Sequence, residues 1–98
     1  MTEEKERALF EDMIRRHTAA LNDILSRYVG RLSRQDREWF TENTLELAWE
    51  NRKAFDPTRR HLIAYWEDCC RETARSRPTW RVVTTTGYET VKNRSLGK

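Results

Sequence analysis

Few residues in this sequence bend or staple a chain: three Gly, two Pro and two Cys among 98. Cys69 and Cys70 are neighbours, so they cannot join distant parts of one chain, and they read as reduced thiols in a reducing compartment. No apolar run of about 18 residues is present, which excludes a membrane-spanning helix. The opening "MTEEKERALF" is acidic and mixed, unlike the basic-then-apolar pattern of a secretion signal, so a cytoplasmic protein is expected. There is no glycine-rich phosphate loop, no His-Glu-x-x-His, no pair of spaced Cys pairs and no serine elbow. His17, His61 and the Cys pair form no metal-ligand spacing. A binding module without metal or cofactor is expected, and not an enzyme.

Charge is what the chain has in quantity. Charged residues are 36% and hydrophobic residues 37%, a balance that suits one solvated helical domain with a modest core. Net charge is +3 but unevenly spread. Residues 1–56 hold ten Lys/Arg against twelve Asp/Glu, and residues 57–98 hold nine against four, giving −2 and +5. The basic C-terminal half permits contact with phosphate groups.

Leu9, Phe10, Met13, Ile14, His17, Ala20, Leu21, Ile24, Leu25 and Tyr28 recur at steps of three and four, which predicts one amphipathic helix of about seven turns. His17 on that stripe reads as a packed core residue. Glu3, Glu4 and Glu6 suit the helix N-terminus, and Gly30 marks its end. "SRQD" from Ser33 has the spacing of a capping box, and a second helix is expected from there to about Phe55. Its inward residues are Phe40, Leu45, Ala48 and Trp49, and Asp36, Glu38, Glu42, Glu46 and Glu50 form an acidic outer face. Pro57 breaks the pattern. A third helix follows from about Arg59 to Arg77, with Leu62, Ile63, Trp66, Cys70, Thr73 and Ala74 inward.

The expected fold is therefore all-α, a compact three-helix bundle over residues 1–77, with a tail over residues 78–98. That tail, "TWRVVTTTGYETVKNRSLGK", is β-branched from Val82 to Thr86 and carries Gly87, so a hairpin or an extended partner-binding strand is expected. A two-stranded ribbon is marginal alone and must pack on something.

"DREWFTENTLELAWENRKAFDPTRRHLIAYW" resembles region 2 of bacterial sigma factors, and most of all the extracytoplasmic-function class. Members of that class show Asp-x-Glu-Asp-Leu-x-Gln-Glu, then Ala-Trp, a Phe-Asp loop and a helix opening Ala-Trp-Leu. The match runs without gaps to Phe55 and covers roughly residues 8–77. The resemblance implies a transcription-initiation module that docks through its second helix on the clamp helices of the largest subunit of bacterial RNA polymerase. Asp36, Glu38, Glu42 and Asn43 occupy the contacting positions, while Ala48, Trp49 and Phe55 match core positions.

In that family the following loop captures a flipped base of the promoter minus-ten element. Asp56, Pro57, Thr58, Arg59, Arg60 and His61 fall on it, with Tyr65, Trp66, Arg71 and Arg75 on the next helix. Arginines and aromatic rings suit exposed strand. The implied DNA-binding set is Arg59, Arg60, His61, Tyr65, Arg71 and Arg75. Departures are informative: Trp39 stands for an acid, Glu42 for Gln, Asn43 for Glu, and Asp68 and Glu72 replace an Arg and an Asn that help hold DNA. Only twenty-one residues follow Arg77, too few for the domain that reads the minus-thirty-five element, so a separate region 4-like or regulatory partner is expected. The alternative is a polymerase-binding inhibitor or adaptor that has lost promoter recognition.

Overall fold

A computed structural model describes residues 2–54 and 61–96. These residues form helices α1 (Glu3–Arg16), α2 (Thr18–Val29), α3 (Arg34–Glu50) and α4 (Leu62–Arg75), then strands β1 (Thr79–Thr84) and β2 (Gly87–Lys92). Short 3-10 turns cover Arg52–Ala54 and Asn93–Ser95. The result is mostly helical, but it has four helices and a small antiparallel sheet where a three-helix bundle was expected. It is elongated, 50 × 24 × 23 Å, instead of compact.

The expected first helix is split at His17, whose backbone sits at φ −111°, ψ 19°. The Thr18 hydroxyl donates back to the carbonyls of Ile14 and Arg15 at 3.3 and 2.8 Å, local bonds that compete with the helical ladder and bend it. His17 is thereby exposed at the joint and is not a core residue. α1 contributes no fully buried side chain, and Phe10, Met13 and Ile14 rest half-buried against the core. α2 instead buries Leu21, Ile24, Leu25, Tyr28 and Val29.

α3 and α4 pack side by side across the same core. Phe40, Thr44 and Ala48 line the inner face of α3 and Trp49 is buried toward Phe10 of α1, while Leu45, expected inside, is 37% exposed. α4 buries Leu62, Tyr65, Trp66, Cys69, Cys70, Thr73 and Ala74; Tyr65 takes the inward place assigned to Ile63, which is 37% exposed. Among the described residues every buried side-chain nitrogen and oxygen has a hydrogen-bond partner. Trp66 Nε1 donates to the Leu21 carbonyl at 3.0 Å, Tyr65 Oη to Ala48 at 2.7 Å, and Thr44 Oγ1 to Thr73 Oγ1 at 2.8 Å. Each such bond joins two helices, which adds registry to the non-directional burial of apolar surface.

The tail is a hairpin, with Thr79 opposite Lys92 and Thr84 opposite Gly87. Gly87 takes φ +138°, a left-handed value that disfavours any residue with a Cβ. The hairpin escapes the marginal stability of a lone ribbon because Trp80 and Val82 insert into the helical core at 1% and 4% exposure. The other edge of β1 pairs with the α2–α3 connection: Ser33 N donates to Arg81 O at 2.8 Å and Val83 N to Arg31 O at 2.7 Å, around a Leu32–Val82 bridge. No described helix is long and apolar enough to cross a membrane.

Candidate functional site

α3 begins with half of a capping box. Ser33 Oγ accepts from Asp36 N at 3.3 Å, satisfying one of the helix's unpaired amides. The reciprocal bond is absent, because Ser33 N is committed to β1 and the Asp36 carboxylate turns inward. Asp36 Oδ2 accepts from Arg81 N at 2.7 Å and Oδ1 from Arg77 Nη1 at 3.3 Å, and the residue is 6% exposed. Assigned to an outer docking face, Asp36 is instead a buried tie between α3 and the hairpin.

The remaining acids of α3 do face outward. Glu38 is held by Arg34 one turn earlier at 3.3 Å, and Glu42 and Glu50 are exposed. Glu46 pairs with Arg7 of α1 at 3.1 Å. Asn43 is half-buried, its Nδ2 bonded to the Trp39 carbonyl at 2.8 Å. Between α3 and α4 lies an open groove of about 420 Å³, lined by Trp39 and Leu47, by Glu46, Glu50 and Glu72, and by Arg77.

On α4 the expected DNA-facing residues divide. His61 is the N-cap, its Nδ1 accepting from Ile63 N at 3.3 Å, and it is exposed. Tyr65 is buried and its hydroxyl is engaged at Ala48, so its ring cannot stack on a base in this arrangement. Trp66 is likewise core. Arg71 lies between Asp68 at 3.1 Å and Glu67 at 3.6 Å, and Arg75 pairs with Glu72 at 3.7 Å. Glu67, Asp68 and Glu72 thus lie within ion-pair distance of these two arginines. Arg59 and Arg60, with Phe55, Asp56, Pro57 and Thr58, lie outside the described residues.

One cluster escaped the sequence reading. Arg77 lies 5.1 Å from the Trp39 ring centre and 4.5 Å from that of Trp80, and the two indoles meet at 5.6 Å. This contact gives Trp39 its role: it receives the hairpin. The signal was the pairing of two uncommon Trp residues with an Arg just before the strand. A second cluster fixes α1, where Phe10 meets Trp49 at 5.5 Å and Arg52 lies 3.7 Å over the same indole while bonding Glu6 at 2.7 Å. The Arg52 guanidinium holds the Glu6 carboxyl below its ordinary value.

Burial drives the Cys70 thiol up to about 12, aided by Cys69 and Glu67 nearby, which makes it a packing residue and no nucleophile. Among the described residues no group of three His, Cys, Asp or Glu side chains is placed to hold a metal ion. Comparison with family models, with curated proteins and with solved structures finds no match to this chain.

Proposed function

We propose that the chain is a sigma region 2-like transcription-initiation module that docks on the clamp helices of bacterial RNA polymerase through α3. It helps recognise or melt the promoter minus-ten element. The observation that supports this reading is the packing of α3 beside α4. Phe40 and Ala48 turn inward there, and Glu38 and Glu42 remain on the acidic outer side. Two helices that failed to pack as neighbours would have been incompatible with it.

The test is co-elution with purified core polymerase. The native chain binds, and the double reversal Glu38→Lys/Glu42→Lys abolishes binding while leaving the helical circular dichroism unchanged, since both residues are exposed. Binding weakens with salt, as expected for charge steering. No binding by the native chain, or binding indifferent to reversal, refutes the proposal.

A second reading, a polymerase-binding inhibitor or adaptor, is favoured by one observation. Arg71 and Arg75 are neutralised by Glu67, Asp68 and Glu72, so α4 offers little net attraction to phosphate. Under that reading Asp68→Arg/Glu72→Asn creates DNA affinity that the parent lacks, and no gain counts against it.

A further inference from the structure

The arginines of the helices are mostly spoken for: Arg7, Arg16, Arg27, Arg34, Arg71 and Arg75 each lie within ion-pair distance of a carboxylate. The hairpin end is different. Arg31, Arg81 and Lys92 have no carboxylate within that distance among the described residues, and all three are exposed. The strand register sets them on one face. Trp80 and Val82 point into the core, so Thr79, Arg81 and Val83 point out. Across from them on β2 stand Lys92, Thr90 and Tyr88, and on the other edge of β1 Arg31 flanks Val83.

This outer face thus has a row with Arg31, Val83 and Tyr88, a row with Arg81 and Thr90, and a row with Thr79 and Lys92. Rows on one face are separated by two residues, roughly 7 Å along the strand. The side chains that would anchor an apolar partner are few, but two are fully offered: Tyr88 is 64% exposed and Val83 is 52% exposed. Of the nearby acids, Glu38 is already held by Arg34, and Glu89 stands opposite Val82, out of phase with this face.

We infer that the outer face of the hairpin binds single-stranded nucleic acid, with Arg31, Arg81 and Lys92 on successive phosphates and a base stacked on Tyr88. Unpaired cations supply the charge complementarity. An exposed ring on a sheet face favours unstacked bases over a duplex, whose bases are closed to such a ring. The threonines add hydroxyl donors for phosphate and sugar oxygens. The inference does not depend on polymerase docking, which uses the α3 face.

Fluorescence anisotropy with a labelled oligothymidylate of roughly 20 nucleotides tests it, in salt from about 50 to 200 mM. The native chain binds, and three phosphate contacts give a salt slope near −2, since each contributes about −0.7 on a single strand. Arg31→Ala/Arg81→Ala/Lys92→Ala removes most of that slope. Tyr88→Ala weakens binding roughly five-fold or more, whereas Tyr88→Phe keeps it, because the ring and not the hydroxyl stacks. Arg15→Ala/Arg16→Ala, on α1, changes nothing. All of these residues are exposed, so each variant folds, as circular dichroism verifies. No binding at low salt, an unchanged slope in the triple variant, tighter binding of a duplex, or indifference to Tyr88→Ala would each overturn the inference. Because no polymerase is present, failure here leaves the co-elution result standing, and failure there leaves this one.

Discussion

Trp80→Ala separates a hairpin that belongs to the core from one that merely follows it. The Trp80 indole is 1% exposed, packs 5.3 Å from the Phe40 ring and 5.6 Å from Trp39, and donates from Nε1 to the Ala74 carbonyl at 3.1 Å. A buried Trp removes about 150–250 Å² from water, which at about 25 cal/mol per Å² is roughly 4–6 kcal/mol, an upper bound because unfolded chains are partly collapsed. Truncation of buried aromatics costs about 3–5 kcal/mol, with the cavity included. A domain of this size has about 5–15 kcal/mol in total, so the variant keeps only part of its stability, and its Tm falls by about 15–30 °C. Urea unfolding followed by far-ultraviolet circular dichroism is the assay, with an unchanged m-value as evidence that the same surface unfolds. Val83→Ala, on the opposite face of the same strand, is the control and costs under about 0.5 kcal/mol. A loss below about 1 kcal/mol for Trp80→Ala would mean that the hairpin is dispensable to the helical core.

Asp36→Ala is expected to cost about 2–3 kcal/mol in urea unfolding, because it strands the Arg81 amide and leaves Arg77 without its carboxylate; a variant as stable as the parent would show that these bonds do not tie α3 to the hairpin. The Cys70 thiol, raised above its ordinary value of 9.0 to about 12, stays protonated in the fold while the unfolded chain ionises. Its contribution to stability is therefore complete below about pH 9 and lost as pH rises toward 12. A thiol reagent at pH 8 should label the native protein slowly and the urea-unfolded protein at once, and rapid native labelling at Cys70 would contradict its placement. Hydrogen exchange should find α1 the least protected helix, since it has no buried residue, with α2 and α4 the slowest; equal protection of α1 and α2 would argue against the break at His17.

The helices were legible where their apolar residues kept a strict period, and less so where a polar group intervened locally. The stripe from Leu9 to Tyr28 read as one helix because periodicity is blind to the Thr18 hydroxyl that bends it. The SRQD signal located the start of α3 correctly, yet a capping-box reading assigns Asp36 to Ser33, and only the tertiary fold brings the competing Arg81 amide beside it. Ile63 and Tyr65 exchanged places because aromatic character says nothing about which turn of α4 faces α3. The hairpin was foreseeable from its β-branched residues and Gly87, whereas its docking was not, because the Leu32–Val82 bridge joins segments fifty residues apart. For the candidate site, exposure of Glu38 and Glu42 followed from sequence, but the neutralisation of Arg71 and Arg75 needed the geometry of their partners.

The hairpin also accounts for the way charge is divided over α3. A helix with acids at 36, 38, 42, 46 and 50 would be expected to expose all of them, since burying a carboxylate costs several kcal/mol unless it is paired and hydrogen-bonded. β1 supplies that compensation at one position only: its Arg81 amide and the preceding Arg77 guanidinium converge on Asp36, and Trp39 one turn later receives Trp80. The first turn of α3 is thereby committed to structure, and any acidic docking on this helix must lie from Glu38 onward, toward Glu42 and Glu50. Because β1 is covered on one edge by β2 and on the other by Arg31–Ser33, the same commitment turns the basic outer face of the hairpin to the surface. The one contact of Asp36 with Arg77 and Arg81 therefore fixes both where the exposed acidic surface of α3 begins and which face the hairpin turns outward.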